Sequence, residues 1–480
     1  MRSIDINSII NNKFILSPSN YKKIEIKSEK KIPLSDLIDK KEKGTEVGSA
    51  NYVEKSKYKF IRTAALSNDC FSIYEDHNSI LSINPNVFVD YHLKKNDILI
   101  CKDSNVGEVV LLEHDYPNYM FSSGINRIHI KNSPLYVFAI MKNKMFREQL
   151  MSFIPKGATL RHAKDNYLKC IIPFPNDEEI VEYITSLVKI IQNKEIEIKK
   201  RNHAIENIIY NEIINNQKEN KFEYSYPTIS QLEKNNRLDT GSYTEEFSKI
   251  DFLIKNYVNG HYYINEKNIK GGNTPKKRFI SKDLNLKYIW ITPSYINDNG
   301  TLDLSNRINC QKNNINRNCL LIINRTSKGG IGEYVGVSAY YDFDKFGKAQ
   351  HNQGIYRITS KSNEELIALT CLLNSSLYRK YCANISMGSK MKELKLNNIL
   401  AIPFPKLPDK IVRELNRLYY NSPGKEKILK ENFEQANFNW DKDAGLIDLF
   451  NSAENSKKIL NNIIEQIYLN EDIVLDYTIL

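Results

Sequence analysis

The most constraining feature of this 480-residue sequence is an internal repeat of about 230 residues. KYKFIRTAALSND (57–69) corresponds to LKYIWITPSYIND (286–298), and KGATLRHAKDNYLKCIIPFP (156–175) corresponds to MGSKMKELKLNNILAIPFP (387–405). Single residues keep the same order: Gly107 matches Gly332, Arg127 matches Arg357, Gly157 matches Gly388, and Pro173 matches Pro403. A period this long indicates a duplicated domain rather than a solenoid of short repeats. We therefore expect two copies of one fold.

Each copy contains a strand–turn–strand pattern. In the first copy, the apolar runs 98–101 and 109–112 flank a polar turn that ends at Gly107. In the second copy, the runs 320–323 and 334–337 flank a longer turn that is rich in basic residues and glycine. Such runs predict two strands joined by a turn, and Gly107 suits a turn position with positive φ.

A second shared pattern closes each copy. A glycine-containing loop precedes a short buried strand, predicted at 170–172 in the first copy. We expect this strand to stop at Pro-Phe-Pro (173–175), because proline cannot continue a central strand.

Basic, hydroxyl and amide side chains on these loops and strands can contact phosphates or base edges of a nucleic acid. An ordinary solvated turn would carry similar residues, so it is their occurrence in both copies that favours contact. His162 is not expected to bind a metal, because no second ligand stands at a suitable spacing. The candidate contact residues are Lys102, Ser104, Asn105, Arg127, Lys156, Thr159, Arg161, His162 and Lys164 in the first copy, and Arg325, Thr326, Lys328, Arg357, Ser389, Lys390 and Lys392 in the second.

Long helices are predicted after each copy. Neither Gly nor Pro occurs between residues 176 and 226, and apolar residues there follow a spacing of three and four. About 38 helical residues would span roughly 57 Å, which is the length of a spacer. The distal counterpart begins at Asp409, is interrupted at 421–427 and resumes near Leu446. We expect the two long helices to pair antiparallel, although a solvated helix or a separate small bundle would fit the same pattern.

Composition adds weaker constraints. The formal net charge of +11 is compatible with a polyanionic partner, but biased codon usage also explains many of the lysines. The seven scattered cysteines predict neither a disulfide framework nor a zinc site, and a reducing cytoplasm suits them. We find neither an apolar run long enough to cross a membrane nor a signal-peptide pattern near residue 1, so we expect a cytoplasmic protein without a membrane partner.

Several of these motifs carry a family resemblance. GGNTPKKRF with LKYIWITPSYIN (271–297), the KKNDILICKDSNVGEVVLL hairpin (94–112) and the two closings that end in IPFP resemble the specificity (S) subunits of type I restriction–modification systems. The resemblance spans nearly the whole chain. Each motif alone is degenerate, but their ordered occurrence in two copies with intervening helices is specific.

The resemblance implies an α+β fold. Two similar target-recognition domains, built of mixed and antiparallel strands with helices, would be separated by long antiparallel coiled-coil spacer helices. The expected segments are target-recognition domain 1 (1–175), a central spacer helix (176–217), target-recognition domain 2 (218–405) and a distal helical spacer region (406–480).

The resemblance also implies a function. Each recognition domain would read one half of a split site in double-stranded DNA, and the helices would set the gap and dock methyltransferase subunits. A motor-nuclease subunit remains an open further partner. The chain itself would be non-catalytic and need no cofactor.

Other classes stay open at this point. The chain could instead serve a type II-like or other methylation-based phage-defence system. It could also be a stand-alone nuclease or modification enzyme, or a structural protein whose coiled coil carries the function. We find neither an S-adenosylmethionine motif with (N/D)PP(Y/F), nor a GxxxxGK(S/T) loop, nor a PD…(D/E)xK cluster in the sequence, and this favours a reader of DNA over an enzyme.

Overall fold

The computed structural model describes residues 6, 10, 24–75, 78–154, 162–235, 240–276, 280–281, 286–304, 307–326, 334–388, 391–424 and 428–478. The chain divides into two compact units. The first comprises Met1–Glu197, Gly424–Lys442 and Leu449–Leu480, and the second comprises Ile198–Pro423 and Asp443–Asp448. Each unit holds one copy of the repeat.

The first copy is built from short strands followed by helices. Its strands are β1 (Lys30–Pro33), β2 (Ile38–Lys43), β3 (Lys59–Ile61), β4 (Ile80–Ser82), β5 (Ile98–Cys101), β6 (Val109–Leu111), β7 (Tyr119–Phe121), β8 (Ile125–Ile130) and β9 (Ile171–Phe174). Its helices are α1 (Leu34–Leu37), α2 (Pro134–Lys142), α3 (Lys144–Ser152) and the long α4 (Glu178–Asn215).

These strands form three small sheets. The first is antiparallel, with the order β2-β8-β5-β6. The second has the order β4-β3-β7, and its strands β3 and β7 run parallel. The third is the antiparallel pair β1-β9.

The second copy has the same order of paired strands, with one extra strand and several additional helices. Its strands are β10 (His261–Tyr262), β11 (Ile269–Gly271), β12 (Ile280–Ser281), β13 (Tyr288–Ile291), β14 (Ile308–Cys310), β15 (Cys319–Ile323), β16 (Ser338–Tyr341), β17 (Ala349–His351), β18 (Ile355–Ile358) and β19 (Phe404–Pro405). Its helices are α5 (Ile229–Asn235), α6 (Glu245–Lys255), α7 (Phe343–Phe346), α8 (Asn363–Asn374), α9 (Ser376–Ile385), α10 (Leu396–Leu400) and α11 (Asp409–Tyr419).

The strand order of the second copy confirms the duplication. Its sheets are β11-β18-β15-β16, β12-β14-β13-β17 and β10-β19, which reproduce the three sheets of the first copy with β12 added at one edge. The pair β13 and β17 runs parallel, as β3 and β7 do. The α+β fold with two similar domains is therefore correct.

Two of the central strands, β5 and β15, are apolar throughout because both of their faces are buried. In β5, Ile98 and Ile100 lie in a core cluster with α2 and α4, whereas Leu99 and Cys101 lie in a cluster with residues of β3 and β7. Side chains alternate between the two faces of a strand, so a strand covered on both sides needs apolar residues at every position. The same reason applies to β15, whose residues divide between two clusters.

The predicted hairpin is confirmed in the first copy, where Gly107 has φ of 85° and donates its N–H to the Cys101 carbonyl over 2.8 Å. In the second copy, the prediction of a strand at 334–337 is wrong, because β16 begins only at Ser338. Gly336, with φ of 89° and a 2.8 Å hydrogen bond to the Ile323 carbonyl, takes the place of Gly107. The structural equivalent of Gly107 is thus Gly336 rather than Gly332, and a longer turn precedes it.

The closing strand of the first copy also differs from its prediction. β9 runs through Pro173 to Phe174 instead of stopping before the prolines. Among the described strands it pairs with β1 only, so its other edge has no neighbouring strand in that part of the chain. A proline is tolerated there, because an edge strand does not need every backbone N–H for pairing.

The long helix is confirmed, since α4 covers 38 residues from Glu178. The distal region forms α11, then α12 (Phe433–Asp443), then α13 (Leu446–Leu469). Within the first unit α13 runs antiparallel to α4. Lys457 pairs with Glu195 over 3.2 Å, while the Tyr183 hydroxyl, near the start of α4, donates to the carbonyl of Asp476 beyond the end of α13.

The helical layer of the second unit is built differently. There the second half of α4 contributes Ile205, Ile209 and Ile213 to a core that includes residues of α6, α8 and α11. The distal helices do not form one segment of their own, because α12 and most of α13 belong to the first unit and α11 to the second.

Candidate nucleic-acid interface

Two loops with candidate contact residues meet in the first copy. We call residues 102–108, between β5 and β6, the hairpin turn, and residues 162–165, before β9, the closing loop. The backbone N–H of Ala163 donates to the Lys102 carbonyl over 2.7 Å, and Asp103 forms an isolated β-bridge with His162. The Lys102 N–H donates to the carbonyl of Gly124, in the β7–β8 turn, over 2.9 Å. We call this meeting of loops the first loop junction.

The second copy repeats the junction with the same backbone hydrogen bonds. The N–H of Leu394, in the closing loop, donates to the carbonyl of Asn324 over 2.7 Å, and the Asn324 N–H donates to the Gly354 carbonyl over 3.0 Å. Arg325 forms an isolated β-bridge with Glu393, as Asp103 does with His162. This is the second loop junction.

Glycine allows the loops to approach closely in both junctions. A Cβ at Gly124 would lie 3.0 Å from Cγ2 of Thr63 and 3.4 Å from Cβ of Asp103. A Cβ at Gly354 would lie 3.1 Å from the Arg325 carbonyl oxygen. In each junction the hairpin turn also meets a closing loop that lies more than 50 residues later in the sequence.

The candidate residues of the first copy lie mainly on the outside of its junction. Ser104 and Asn105 are exposed at the tip of the hairpin turn, and Ser104 adopts a left-handed conformation with φ of 64°. His162 and Lys164 are exposed on the closing loop, while Lys102 is half-buried. Lys156, Thr159 and Arg161 lie outside the described residues.

The candidate residues of the second copy are only partly described. Arg325, Thr326 and Lys392 are half-buried at the junction. Lys328, Ser389 and Lys390 lie outside the described residues.

A group of lysines lies beside the first loop junction. Partial burial, together with the nearby charges of Lys43 and Lys41, lowers the pKa of Lys102. Both neighbours are exposed on β2, and Lys41 pairs with Asp165 of the closing loop over 2.8 Å. Lys41 and Lys43 were not among the predicted contact residues, because an exposed KKEK strand is indistinguishable in sequence from any solvated edge. Like charges held close together favour an anionic ligand, and a phosphate group is one.

Comparison with known proteins identifies the family. The model of the type I restriction-modification DNA specificity domain matches residues 27–207 and 266–431, which are most of both copies. The chain belongs to this family. Members of the type I specificity family carry the DNA sequence specificity of their systems and are not catalytic. No curated protein matches the chain significantly.

Solved structures of S subunits are similar to the chain at low sequence identity. The S subunit of a type I system from M. genitalium is 14% identical, with 94% of this chain and 99% of that chain covered and a TM-score of 0.45. The HsdS subunit from Thermoanaerobacter tengcongensis is 11% identical, with 92% and 96% covered and a TM-score of 0.29.

Two arginines predicted as contacts in this specificity subunit are engaged within their own copies. Arg127, on β8, is 6% exposed, and its guanidinium contacts Asp97 and Glu42 at 2.7 Å each. Arg357, the matching residue on β18, is half-buried and donates to the carbonyl of Asn314. Burial and these partners engage both arginines inside the fold, and a DNA contact by Arg127 or Arg357 stays a sequence-based prediction. A sequence repeat marks structural and functional residues alike.

The described part of the specificity subunit shows neither a metal-binding cluster nor a membrane-spanning helix. No group of three or more His, Cys, Asp or Glu side chains is arranged to hold a metal ion among the described residues. None of the described helices is long and apolar enough to cross a membrane.

Proposed function

We propose that this specificity subunit reads a bipartite site in double-stranded DNA, with one half-site for each copy of the repeat. The observation that carries the proposal is the repetition of the loop junction, since both copies gather the same loops by the same backbone hydrogen bonds. Two similar readers in one chain suit a site with two halves, because each reader contacts its own base pairs. The readers are the segments 1–175 and 218–405.

The remaining segments have a proposed role in spacing and assembly. α4, in the central spacer 176–217, continues without Gly or Pro from the first reader to the second, and we assign to it the gap between the half-sites. The helices of this spacer and of the distal region 406–480 would dock methyltransferase subunits, and a motor-nuclease subunit would join the same assembly. These roles follow the family resemblance.

The proposed DNA contacts divide by chemistry. Lys102, Lys164 and Lys392, with Lys41 and Lys43, suit phosphate oxygens, which fix the position of the protein on the duplex. Ser104, Asn105, His162, Arg325 and Thr326 suit base edges, because they combine donors and acceptors at the junctions. The remaining sequence-based candidates are Arg127, Lys156, Thr159, Arg161, Lys328, Arg357, Ser389 and Lys390.

Replacing Lys43 and Lys102 together by alanine is expected to weaken DNA binding by about tenfold to a hundredfold, almost equally for all sequences. Each lost phosphate contact should also make the salt dependence of binding shallower by about one unit on a double-logarithmic plot. The measurement is a titration of labelled duplex DNA at several salt concentrations. Lys458→Ala, an exposed lysine on α13, is the matched control and should bind as the parent does. An unchanged salt slope in the double variant would remove these lysines from the interface.

The function is tested by selection from a random duplex library. The full chain, purified with its methyltransferase partner, is expected to enrich one motif with two specified parts and an unspecified gap. Binding should fall steeply as salt rises. Cleavage or methylation by the chain alone would favour an enzyme, and the absence of any salt-sensitive binding would favour a purely structural protein. Either result would reject the proposal.

Exchanging residues 1–175 for the matching segment of another specificity subunit is expected to change one part of the enriched motif and leave the other part intact. The reason is that each copy gathers its own junction from its own loops. Selection with the exchanged chain measures this directly, and thermal unfolding checks that the exchange preserves folding. A change in both parts would contradict the assignment of one half-site to each copy.

A further inference from the structure

The two loop junctions carry acid–base side-chain pairs of opposite polarity at equivalent positions. In the first junction the acid lies on the hairpin turn, where Oδ1 of Asp103 is 2.6 Å from Nδ1 of His162 on the closing loop. In the second junction the base lies on the hairpin turn, where Nη1 of Arg325 is 3.9 Å from Oε1 of Glu393 on the closing loop.

The backbone establishes that these positions correspond. Lys102 and Asn324 make the same two hydrogen bonds, so the residues that follow them, Asp103 and Arg325, are equivalent. The closing-loop donors Ala163 and Leu394 are equivalent for the same reason. The residues before them, His162 and Glu393, are therefore equivalent as well. The two copies therefore share the backbone arrangement of the junction but exchange the positions of the acidic and the basic side chain.

All four side chains remain open to solvent. The side chains of Asp103 and His162 are 30% and 53% exposed, and those of Arg325 and Glu393 are 33% and 41% exposed. Exposed ion pairs contribute little to stability, typically less than about 1 kcal/mol. Their location, at the meeting point of the loops and partly facing outward, is better suited to recognition than to holding the fold together.

The polarity of each pair decides which groups each loop offers to a base edge. Arginine donates two hydrogen bonds to O6 and N7 of guanine, a carboxylate accepts from N4 of cytosine, and histidine can donate or accept. The hydrogen bond between Asp103 and Nδ1 of His162 also limits the rotation of the imidazole ring, so its Nε2 points in a defined direction.

We propose that the pairs Asp103–His162 and Arg325–Glu393 are specificity-determining. Backbone hydrogen bonds hold each hairpin turn against its closing loop, and each pair presents its half-exposed groups to a base pair of the half-site. The reversed polarity makes the two copies prefer different base pairs at this position. This inference rests on the proposed bipartite recognition of DNA.

The test exchanges the polarity of the first pair in the full chain, assembled with its methyltransferase partner. Asp103→Arg alone places a cation beside His162, and we expect it to weaken binding to the parent motif at least about tenfold. The double variant Asp103→Arg with His162→Glu places an acid–base pair in the orientation of the second junction. We expect it to bind a selected DNA within about threefold of the parent affinity, but with a changed preference at one or two base pairs of one half-site.

Control variants separate this role from a structural one. Asp103→Asn keeps a polar partner for His162 and should retain the parent motif with a smaller loss of affinity. The exposed pair Lys380–Glu246, 2.7 Å apart on α9 and α6, is the matched control, and reversing it should change neither half of the motif. Thermal unfolding of each variant confirms that it folds as the parent does.

The outcomes are distinguishable. A double variant that selects the parent motif unchanged would show a merely structural pair, and it would overturn the inference. Equal binding and equal motifs for all variants would overturn it as well, and so would a change in both half-sites. If the parent chain itself enriches no bipartite motif, the proposed function fails, and the failure is visible before any variant is compared.

Discussion

Replacing Asp441 by alanine is expected to lower the free energy of unfolding by about 3–5 kcal/mol, the usual consequence of leaving a buried charge without its partner. Asp441, on α12, and Lys194, on α4, are both fully buried, and their Oδ1 and Nζ atoms are 2.5 Å apart. The Asn193 side chain also donates to Asp441 over 2.7 Å, and the Trp440 ring lies 4.9 Å from the Lys194 ammonium.

The expected loss in the free energy of unfolding arises from desolvation of the buried charges. Burial lowers the pKa of Lys194 and raises the pKa of Asp441, so each group alone resists its charged form at this site. Their mutual attraction and the hydrogen bond from Asn193 offset that penalty only while both partners are present.

Denaturant unfolding of matched variants measures the effect. The pair Lys189–Glu434 joins the same two helices, and its side chains are 45% and 32% exposed. Glu434→Ala breaks this pair and should lower the free energy of unfolding by no more than about 1 kcal/mol. The double variant Lys194→Met with Asp441→Leu should recover most of the loss, because it removes both charges and keeps the volume. Equal effects of Asp441→Ala and Glu434→Ala would contradict the buried-pair account.

The stability of the second copy is expected to fall by up to about 3 kcal/mol as the pH drops from 6.5 to 4, through one histidine. His351, on β17, is 1% exposed, with Nδ1 2.8 Å from Oδ1 of Asn314 and Nε2 3.2 Å from the Lys270 carbonyl. Burial and the charge of Arg357 lower the pKa of His351 to about 4, although the hydrogen bond to Lys270 opposes the shift.

The sign follows from proton binding. Between pH 6.5 and 4 the unfolded chain holds a proton on this imidazole and the folded chain does not, so acid favours unfolding. The contribution is fully present above pH 6.5 and is lost as the pH falls toward 4. His351→Gln should therefore lose less stability than the parent over this range. His203→Gln, an exposed histidine on α4, is the control and should follow the parent curve. Parallel curves for the parent and His351→Gln would disprove a buried neutral histidine.

Local patterns predicted the elements whose causes are local. The 3-4 spacing of apolar residues and the absence of Gly and Pro predicted the long helix α4, which covers 38 residues. The first hairpin was equally predictable, because one turn of ordinary length joins two apolar runs around Gly107. The second hairpin was not, because its longer turn places the necessary glycine at Gly336, where a Cβ would lie 2.6 Å from Cβ of Cys382, 46 residues later in the chain.

In the candidate interface, too, some features were predictable from the sequence and others depend on tertiary contacts. The sequence indicated the hairpin turns and closing loops, since both recur with polar residues in each copy. It did not show that the loops meet, that Arg127 turns inward to Asp97, or that Lys41 and Lys43 lie near Lys102. These relations join residues tens of positions apart, and no spacing in the sequence encodes them.

The sequence alone determined the duplication, the α+β composition of each copy and the length of α4, because hydrophobic periodicity and repeated motifs are properties of the linear chain. Only the tertiary structure decided that Lys194, which interrupts the apolar stripe of α4, is buried against Asp441 nearly 250 residues later. It also decided that equivalent junction positions carry pairs of opposite polarity. The physical reason is that desolvation and charge pairing depend on which atoms surround a group in space, and folding alone brings those atoms together.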